Sequence, residues 1–317
     1  MGDWKDPSII RGLSTLAPGL SWIDLMFQGR AHAIATAVLQ QAGGLALVDP
    51  GPTSCLPVLT QGLAQRGQRL ADVRDILLTH IHLDHAGATG TIVRAHPHIR
   101  VFVHERGASH MADPSGLLRS ATRLYGEQMD RLWGGCEPVP AGNLVALQGG
   151  ERIDAGARRF DVAYTPGHAS HHVSYFDGES GVAFVGDTGG VCIDGGYVLP
   201  PTPPPDIDLE AWRVSVDRIE RWSPSTLFMT HFGPAPSVRP HLQSLLDNLE
   251  TTAGWVRESL SEDGSDEERS ARFAARLRRA LRQQISEAQL ESYPVAAPFE
   301  QLWLGLARYW RKRAPPA

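Results

Sequence analysis

The chain has 317 residues, 42% of them hydrophobic and 21% charged, enough for one large domain with an extension or for two domains, with a sizeable core. A formal net charge of −5 and a pI near 6.2 leave no basic footprint for nucleic acid or an anionic membrane. Cys55, Cys136 and Cys192 are scattered and odd in number, which argues against a disulfide framework and suits a reducing compartment. Met1-Gly2-Asp3-Trp4-Lys5-Asp6-Pro7 has acidic residues and a proline where a signal peptide needs basic residues and an apolar run. Gly2 does not open a myristoylation signal, because Asp6 stands where Ser or Thr is needed. No apolar run reaches the roughly eighteen residues of a membrane span. A cytoplasmic protein is expected.

Residues 20–27 and 33–40 carry apolar side chains at strand density around Gln28-Gly29-Arg30, which predicts an antiparallel pair. Leu45-Ala46-Leu47-Val48 follows Gly43-Gly44 and runs into Asp49-Pro50-Gly51. Asp49 is open to two readings, a turn former or a carboxylate standing behind a metal site. Residues 53–66 read as a helix, with Leu56, Leu59 and Leu63 three and four apart. The apolar run Asp75-Ile76-Leu77-Leu78 then reads as a buried strand, and it delivers Thr79-His80-Ile81-His82-Leu83-Asp84-His85. In extended chain His80 and His82 point to the same side. Asp84 and His85 follow as the chain turns, and residues 86–94 read as a loop passing into a short helix. Imidazole nitrogens with a carboxylate oxygen are the donors that zinc prefers. A merely solvated loop would not require histidine at three set positions beside a buried strand, so we read a metal site.

This stretch resembles the His-x-His-x-Asp-His signature of the metallo-β-lactamase superfamily. The resemblance implies an α+β fold, the α/β/β/α sandwich, and three further ligands downstream, each at a strand end. It also implies an Asp at the place of Asp49 that supports the site from behind.

Residues 100–104 are the next strand, and the β–α–β alternation suggests a sheet covered by helices. His96, His98, His104 and His110 read as structural. Residues 115–133 have helical spacing between Pro114 and Gly134-Gly135, either a roof over a cleft or a packed surface helix. Residues 160–164 form a strand that runs into Thr165-Pro166-Gly167-His168. This is similar to the Thr-Pro-Gly-His motif of the hydroxyacylglutathione hydrolase (glyoxalase II) and lactonase branches, and it implies His168 as a ligand. His172 matches a histidine of those branches, whereas His171 stands where glycine is usual. Residues 173–176 and 182–185 read as a hairpin ending in Gly186-Asp187, and the resemblance makes Asp187 a carboxylate that bridges two metals. Residues 189–206 form a long loop, stiffened by Pro200-Pro201-Thr202-Pro203-Pro204-Pro205, on which Cys192 reads as structural. Asp208 caps a helix running to Trp222, and residues 225–230 are the last strand expected. His231 follows as the final implied ligand.

From Val238 onward the signal is helical, so residues 1–237 are read as the catalytic domain and 238–317 as a helical region. It contains a first amphipathic helix, an acidic hinge at residues 261–268, a second helix, and a third after Pro298. Trp303, Leu306 and Trp310 share one face of that third helix, and the stripe serves either as internal core or as a homodimer contact. The region is expected to form a lid wall or a subunit contact and to take no direct part in the chemistry. By resemblance, His80, His82 and His168 hold one metal, Asp84, His85 and His231 hold a second, and Asp187 bridges them. Two zinc ions are implied, with iron or manganese as substitutes, and Asp84 and Asp187 are the catalytic carboxylates. The implied enzyme is a dinuclear metal-dependent hydrolase that turns a bridging hydroxide on an ester, thioester or lactone, with β-lactams or phosphoesters as variants. The alternative is a mononuclear-iron, sulfur dioxygenase-like oxidoreductase of the same fold. The partner is a small molecule, and neither a nucleophile elbow nor a P-loop offers a competing plan.

Overall fold

Short runs of β-branched residues and leucine, punctuated by glycine and proline, fold into two mixed sheets. The computed structural model describes them over residues 14–41, 43–155 and 158–313. The leader and myristoylation readings of the first seven residues lie outside the described residues. The first sheet has seven strands in sequence order, β1 (Ser14–Ala17), β2 (Leu20–Asp24), β3 (Ala35–Gln41), β4 (Gly44–Val48), β5 (Val73–Leu77), β6 (Arg100–His104) and β7 (Leu144–Leu147). Its first four strands pair antiparallel and the rest are parallel. The second sheet has six strands, β8 (Arg152–Ala155), β9 (Arg158–Tyr164), β10 (Val173–Asp177), β11 (Val182–Phe184), β12 (Thr226–Met229) and β13 (Gly233–Ala235), in reverse spatial order. Only the β11–β12 pair is parallel.

Alternation along the strands decides what each face covers. Val48, Leu77, Phe102, Phe160, Val182, Phe184 and Phe228 point between the sheets and fill the interior. The hydroxyl of Tyr175 crosses that interior and donates to the Leu78 carbonyl at 2.8 Å, so this buried polar atom is satisfied. The alternate residues of the first sheet, such as Leu47 and Ile76, pack on α1 (Leu56–Ala64), α2 (Leu83–Ala86), α3 (Thr89–Ala95), α4 (Glu105–Ala112), α5 (Ser115–Tyr125) and α6 (Met129–Leu132). Those of the second, Ala183, Leu227 and Met229, pack on α7 (Leu209–Arg221) and the helices that follow it. Asp208 caps α7 as read, its carboxylate accepting the Ala211 N–H at 3.0 Å. The result is an α/β/β/α sandwich with C-terminal helices α8 (Val238–Ser259), α9 (Asp266–Arg282), α10 (Glu287–Ala296) and α11 (Phe299–Arg313).

Several local expectations are corrected. Residues 83–86, read as chain turning into a loop, close into the helical turn α2. The helix expected over residues 115–133 breaks at Gly126, whose φ of 52° ends α5. β12 is not the last strand, because the chain folds back after His231 to form β13 antiparallel to it. Residues 261–265 of the acidic hinge do turn the chain between α8 and α9, while residues 266–268 already belong to the first turn of α9. Ser265 caps it reciprocally with Glu268, and Asp266, Glu267 and Glu268 occupy the first turn, where the helix dipole favours negative charge. β1, β7, β8, α4 and α10 were not read from the sequence at all. Among the described residues, no helix is long and apolar enough to cross a membrane.

The aromatic stripe of α11 faces its own chain. Trp303 and Leu306 are fully buried against α8 and α9, and the Trp303 Nε1–H donates to the Ser259 hydroxyl at 2.8 Å. One hydrophobic cluster runs from Ala183, Trp212 and Met229 of the sandwich to Leu277 and Trp303 of these helices. Truncating a buried tryptophan removes a large contact and leaves a cavity, so Trp303→Ala is expected to cost about 3–5 kcal/mol in denaturant unfolding. Arg282→Ala, which breaks only an exposed ion pair with Glu287, should leave the midpoint where it is.

Candidate metal centre

The seven side chains singled out in the sequence meet at one end of the sandwich. His80 and His82 leave the end of β5, Asp84 and His85 sit on α2, and His168 lies in the Pro-Gly turn after β9. Asp187 lies in a tight turn after β11, and His231 stands between β12 and β13. Three overlapping groups, His80–His82–His168, His80–His85–Asp187 and Asp84–His85–His231, each bring their donor atoms within 4.8 Å of one another. Asp187 is placed between them. Its Oδ1 lies 3.1 Å from His85 Nε2 and 3.6 Å from His231 Nε2, while its Oδ2 lies 3.4 Å from His168 Nε2. Asp84 Oδ2 stands 3.2 Å from His231 Nε2.

Backbone carbonyls set the histidine tautomers. His168 Nδ1–H donates to the Pro201 carbonyl at 2.8 Å, and His231 Nδ1–H donates to the Ala33 carbonyl at 2.6 Å. A carbonyl can only accept, so in both rings Nε2 is left with a lone pair aimed at the centre. His85 Nδ1–H is held at 2.8 Å by the buried carboxylate of Asp49. The same carboxylate accepts the Thr79 N–H at 2.8 Å, the Thr79 hydroxyl at 2.7 Å and the Thr230 hydroxyl at 2.7 Å. Of the two readings open for Asp49, the structure therefore supports the carboxylate behind the cluster. Glycine is required at Gly186, because a Cβ there would lie 2.4 Å from Thr79 Oγ1 and 2.8 Å from His172 Nε2. His172 itself is buried behind the cluster, its Nδ1 3.0 Å from the Thr165 hydroxyl.

The donor set is one that needs positive charge. His85 Nε2, His231 Nε2 and Asp187 Oδ1 are buried without a hydrogen-bond partner. His82 Nδ1 stands 3.0 Å from both His80 Nε2 and His168 Nε2. Lone pairs and carboxylate oxygens crowded together away from water demand protons or cations between them. In the protein alone, burial drives His80 well below the ordinary imidazole value and, with neighbouring His168, brings His82 to about 4. Burial also opposes a charge on His85, but Asp187, Asp84 and Asp49 outweigh it and hold this imidazole well above its usual value. Burial works against Asp84 likewise, yet His85 and His231 bring it to about 2. Nitrogen and oxygen donors with no competing thiolate suit a borderline divalent ion such as zinc, so the residues present fit the implied metal.

The remaining sequence candidates fall elsewhere. His98 Nε2–H donates to the Val73 carbonyl at 2.9 Å, and His104 stacks on Tyr164 at 4.5 Å. Cys192 donates its backbone N–H to the His231 carbonyl, but its thiol, pushed up to about 11 by burial, turns to the Gly196 carbonyl, and Tyr197 belongs to the C-terminal core. Tyr125, His110 and His171 line a cavity of about 280 Å³ whose floor is His82, Asp84, His168 and Asp187. Its walls are α5, the proline loop and the α10–α11 corner, and the Tyr125 hydroxyl donates to Gln301 Oε1 at 3.2 Å across it. Of the lid-wall and subunit-contact readings of the C-terminal region, the α10–α11 corner fits the first, whereas the two threonines on Asp49 were missed in the sequence. A usable signal was present for the threonines, since Thr79-His80 and Thr230-His231 repeat the same pair at two strand ends.

A family model described as the metallo-beta-lactamase superfamily matches residues 30–231. The "Metallo-beta-lactamase fold-containing protein ST1585" of Sulfurisphaera tokodaii is 30% identical over 181 residues, 55% of this chain and 67% of that protein. A hydroxyacylglutathione hydrolase of Legionella pneumophila is 28% identical over 155 residues, 49% of this chain and 46% of the enzyme, so the match spans about half of that relative's length. Among solved structures, the metallo-beta-lactamase family protein TTHA1429 from Thermus thermophilus superposes with a TM-score of 0.71 at 25% identity, covering 94% of this chain and 95% of its own. With most of both sheets and all seven clustered side chains inside or beside the matched span, this chain belongs to the metallo-β-lactamase superfamily.

Proposed function

We propose that the chain is a dinuclear metal-dependent hydrolase of an ester, thioester or lactone. In this reading His80, His82 and His168 hold one ion, Asp84, His85 and His231 hold the other, and Asp187 bridges. The observation that carries it is the placement of Asp187, whose two oxygens face two separate histidine groups. Relatives named as hydroxyacylglutathione hydrolases support an activated acyl group as the electrophile. Ions bound there would polarise a substrate carbonyl and acidify a water into a nucleophile near neutral pH.

The chain's own residues then divide the work. His82, Asp84, His168 and Asp187 face the cavity while His80, His85 and His231 stand behind them, so substrate reaches the centre from one side. The Pro201 and Ala33 carbonyls keep protons on the outer nitrogens of His168 and His231 and so keep both rings pointed inward. The Asp84 side chain is 19% exposed, the most open of the two carboxylates, and can pass a proton from the attacking water towards the leaving group. The apolar walls keep bulk water out of the reaction. Three free cysteines fit a reducing, cytoplasmic setting.

Elemental analysis of protein supplied with excess metal should find about two divalent ions per chain, and chelation should abolish turnover of a lactone or thioester. One tightly held iron with no second ion would instead favour the dioxygenase reading. Asp187→Ala should lose both metal and turnover, and full activity would remove this residue from the centre. Asp49→Asn replaces one acceptor oxygen by an amide N–H amid four donors. It should weaken metal affinity about 10–100-fold in chelator competition while the protein still folds.

A further inference from the structure

The walls of the cavity above the candidate metal centre are mostly apolar. Leu117, Leu124 and Trp133 stand on one side, Pro203 and Pro204 on another, and Leu302 closes the α11 side. Outside the candidate ligands, Arg106 and Asp206 are the only formally charged residues among the described ones that line it. They sit on the same rim and are tied to each other through neutral groups. Arg106 Nη1–H donates to the Tyr164 hydroxyl at 3.0 Å with its guanidinium 5.6 Å over that ring, and the Tyr164 hydroxyl donates to the Ser170 carbonyl at 2.9 Å. The Ser170 hydroxyl in turn donates to Asp206 Oδ2 at 2.5 Å. The rim therefore presents a cation and an anion that offset each other, with both partly engaged.

Such a cavity is poorly matched to a ligand bearing several charges. A glutathione thioester carries two carboxylates and an ammonium, and each carboxylate brought against apolar walls loses its water without gaining a counter-ion. An alkyl or aryl group, by contrast, gains from burial in proportion to its area. The volume of about 280 Å³ suits a medium-length chain.

We propose that the non-reacting part of the substrate is an uncharged apolar acyl or aryl group lodged between α5, the proline loop and α11, and that the cavity selects against glutathione conjugates. This inference rests on the hydrolase reading for the identity of the reaction. Leu124 is assigned as a specificity-determining residue, half-buried in the wall against which the chain lies.

The test measures kcat/KM of the metal-loaded protein on N-acetylcysteamine thioesters from acetyl to octanoyl, and on octanoylglutathione. Each added methylene should raise kcat/KM roughly fourfold until the cavity is full. Moving the octanoyl group to glutathione should lower it by about tenfold or more. Leu124→Gln, with its metal content checked, should flatten the chain-length profile. A flat profile in the wild type, or glutathione thioesters turned over as well as neutral ones, overturns the proposal. A second arm separates this outcome from failure of the hydrolase reading. Binding of the non-hydrolysable thioethers S-octyl-N-acetylcysteamine and S-octylglutathione is followed by tryptophan fluorescence. Tighter binding of the neutral thioether without turnover of any thioester upholds the cavity assignment and sinks the hydrolase. Turnover with equal binding of the two thioethers does the reverse.

Discussion

The carboxylate of Asp49 is the point on which the site depends. It is fully buried at the end of β4 and accepts four hydrogen bonds, from the backbone and hydroxyl of Thr79, the Nδ1–H of His85 and the hydroxyl of Thr230. A buried charge is tolerated only when its lone pairs are met, and here the four donors come from three places beside or within the cluster. Thr79 precedes His80, His85 is itself in the cluster, and Thr230 precedes His231. Satisfying one anion therefore brings the ends of β4, β5 and β12 and the turn α2 to a common place. Thr230 reaches it from the second sheet, so the same carboxylate also spans the two halves of the sandwich.

The cluster built on that anchor is electrically uneven. Burial leaves His80 and His82 as poor bases with free lone pairs, while the carboxylates around His85 and His231 favour positive charge beside them. A cation replacing those protons would meet oxygen and nitrogen donors already oriented by Asp49, Pro201 and Ala33. Little rearrangement would be needed on binding, which is the advantage of a site held from outside its own ligands.

Much of this was legible in the sequence, for physical reasons. Short buried strands that run into His, Gly-Asp or Pro-Gly-His are local patterns, and β5, β9, β11 and β12 were read from them. What escaped lacked a local signal. β8 alternates Arg152 and Asp154 with buried partners and looks like polar loop, β7 has only four residues, and α10 contains Pro294. The stripe of Trp303, Leu306 and Trp310 was visible, but its destination depended on packing with α8 and α9, which no short window contains. Asp49 was left open for the same reason, since all four of its donors lie at least thirty residues away.

Gly305 on α11 meets the proline loop so closely that a Cβ there would lie 2.0 Å from the Thr202 carbonyl, and the Thr202 hydroxyl donates to the Leu302 carbonyl at 3.1 Å. That loop also supplies the Pro201 carbonyl that orients His168. In biosynthesis all seven clustered side chains leave the ribosome before α11 does. A nascent chain thus carries the complete donor set while the loop that aims His168 still lacks its backing. The loop that aims His168 is backed by a helix that contributes no donor to the centre.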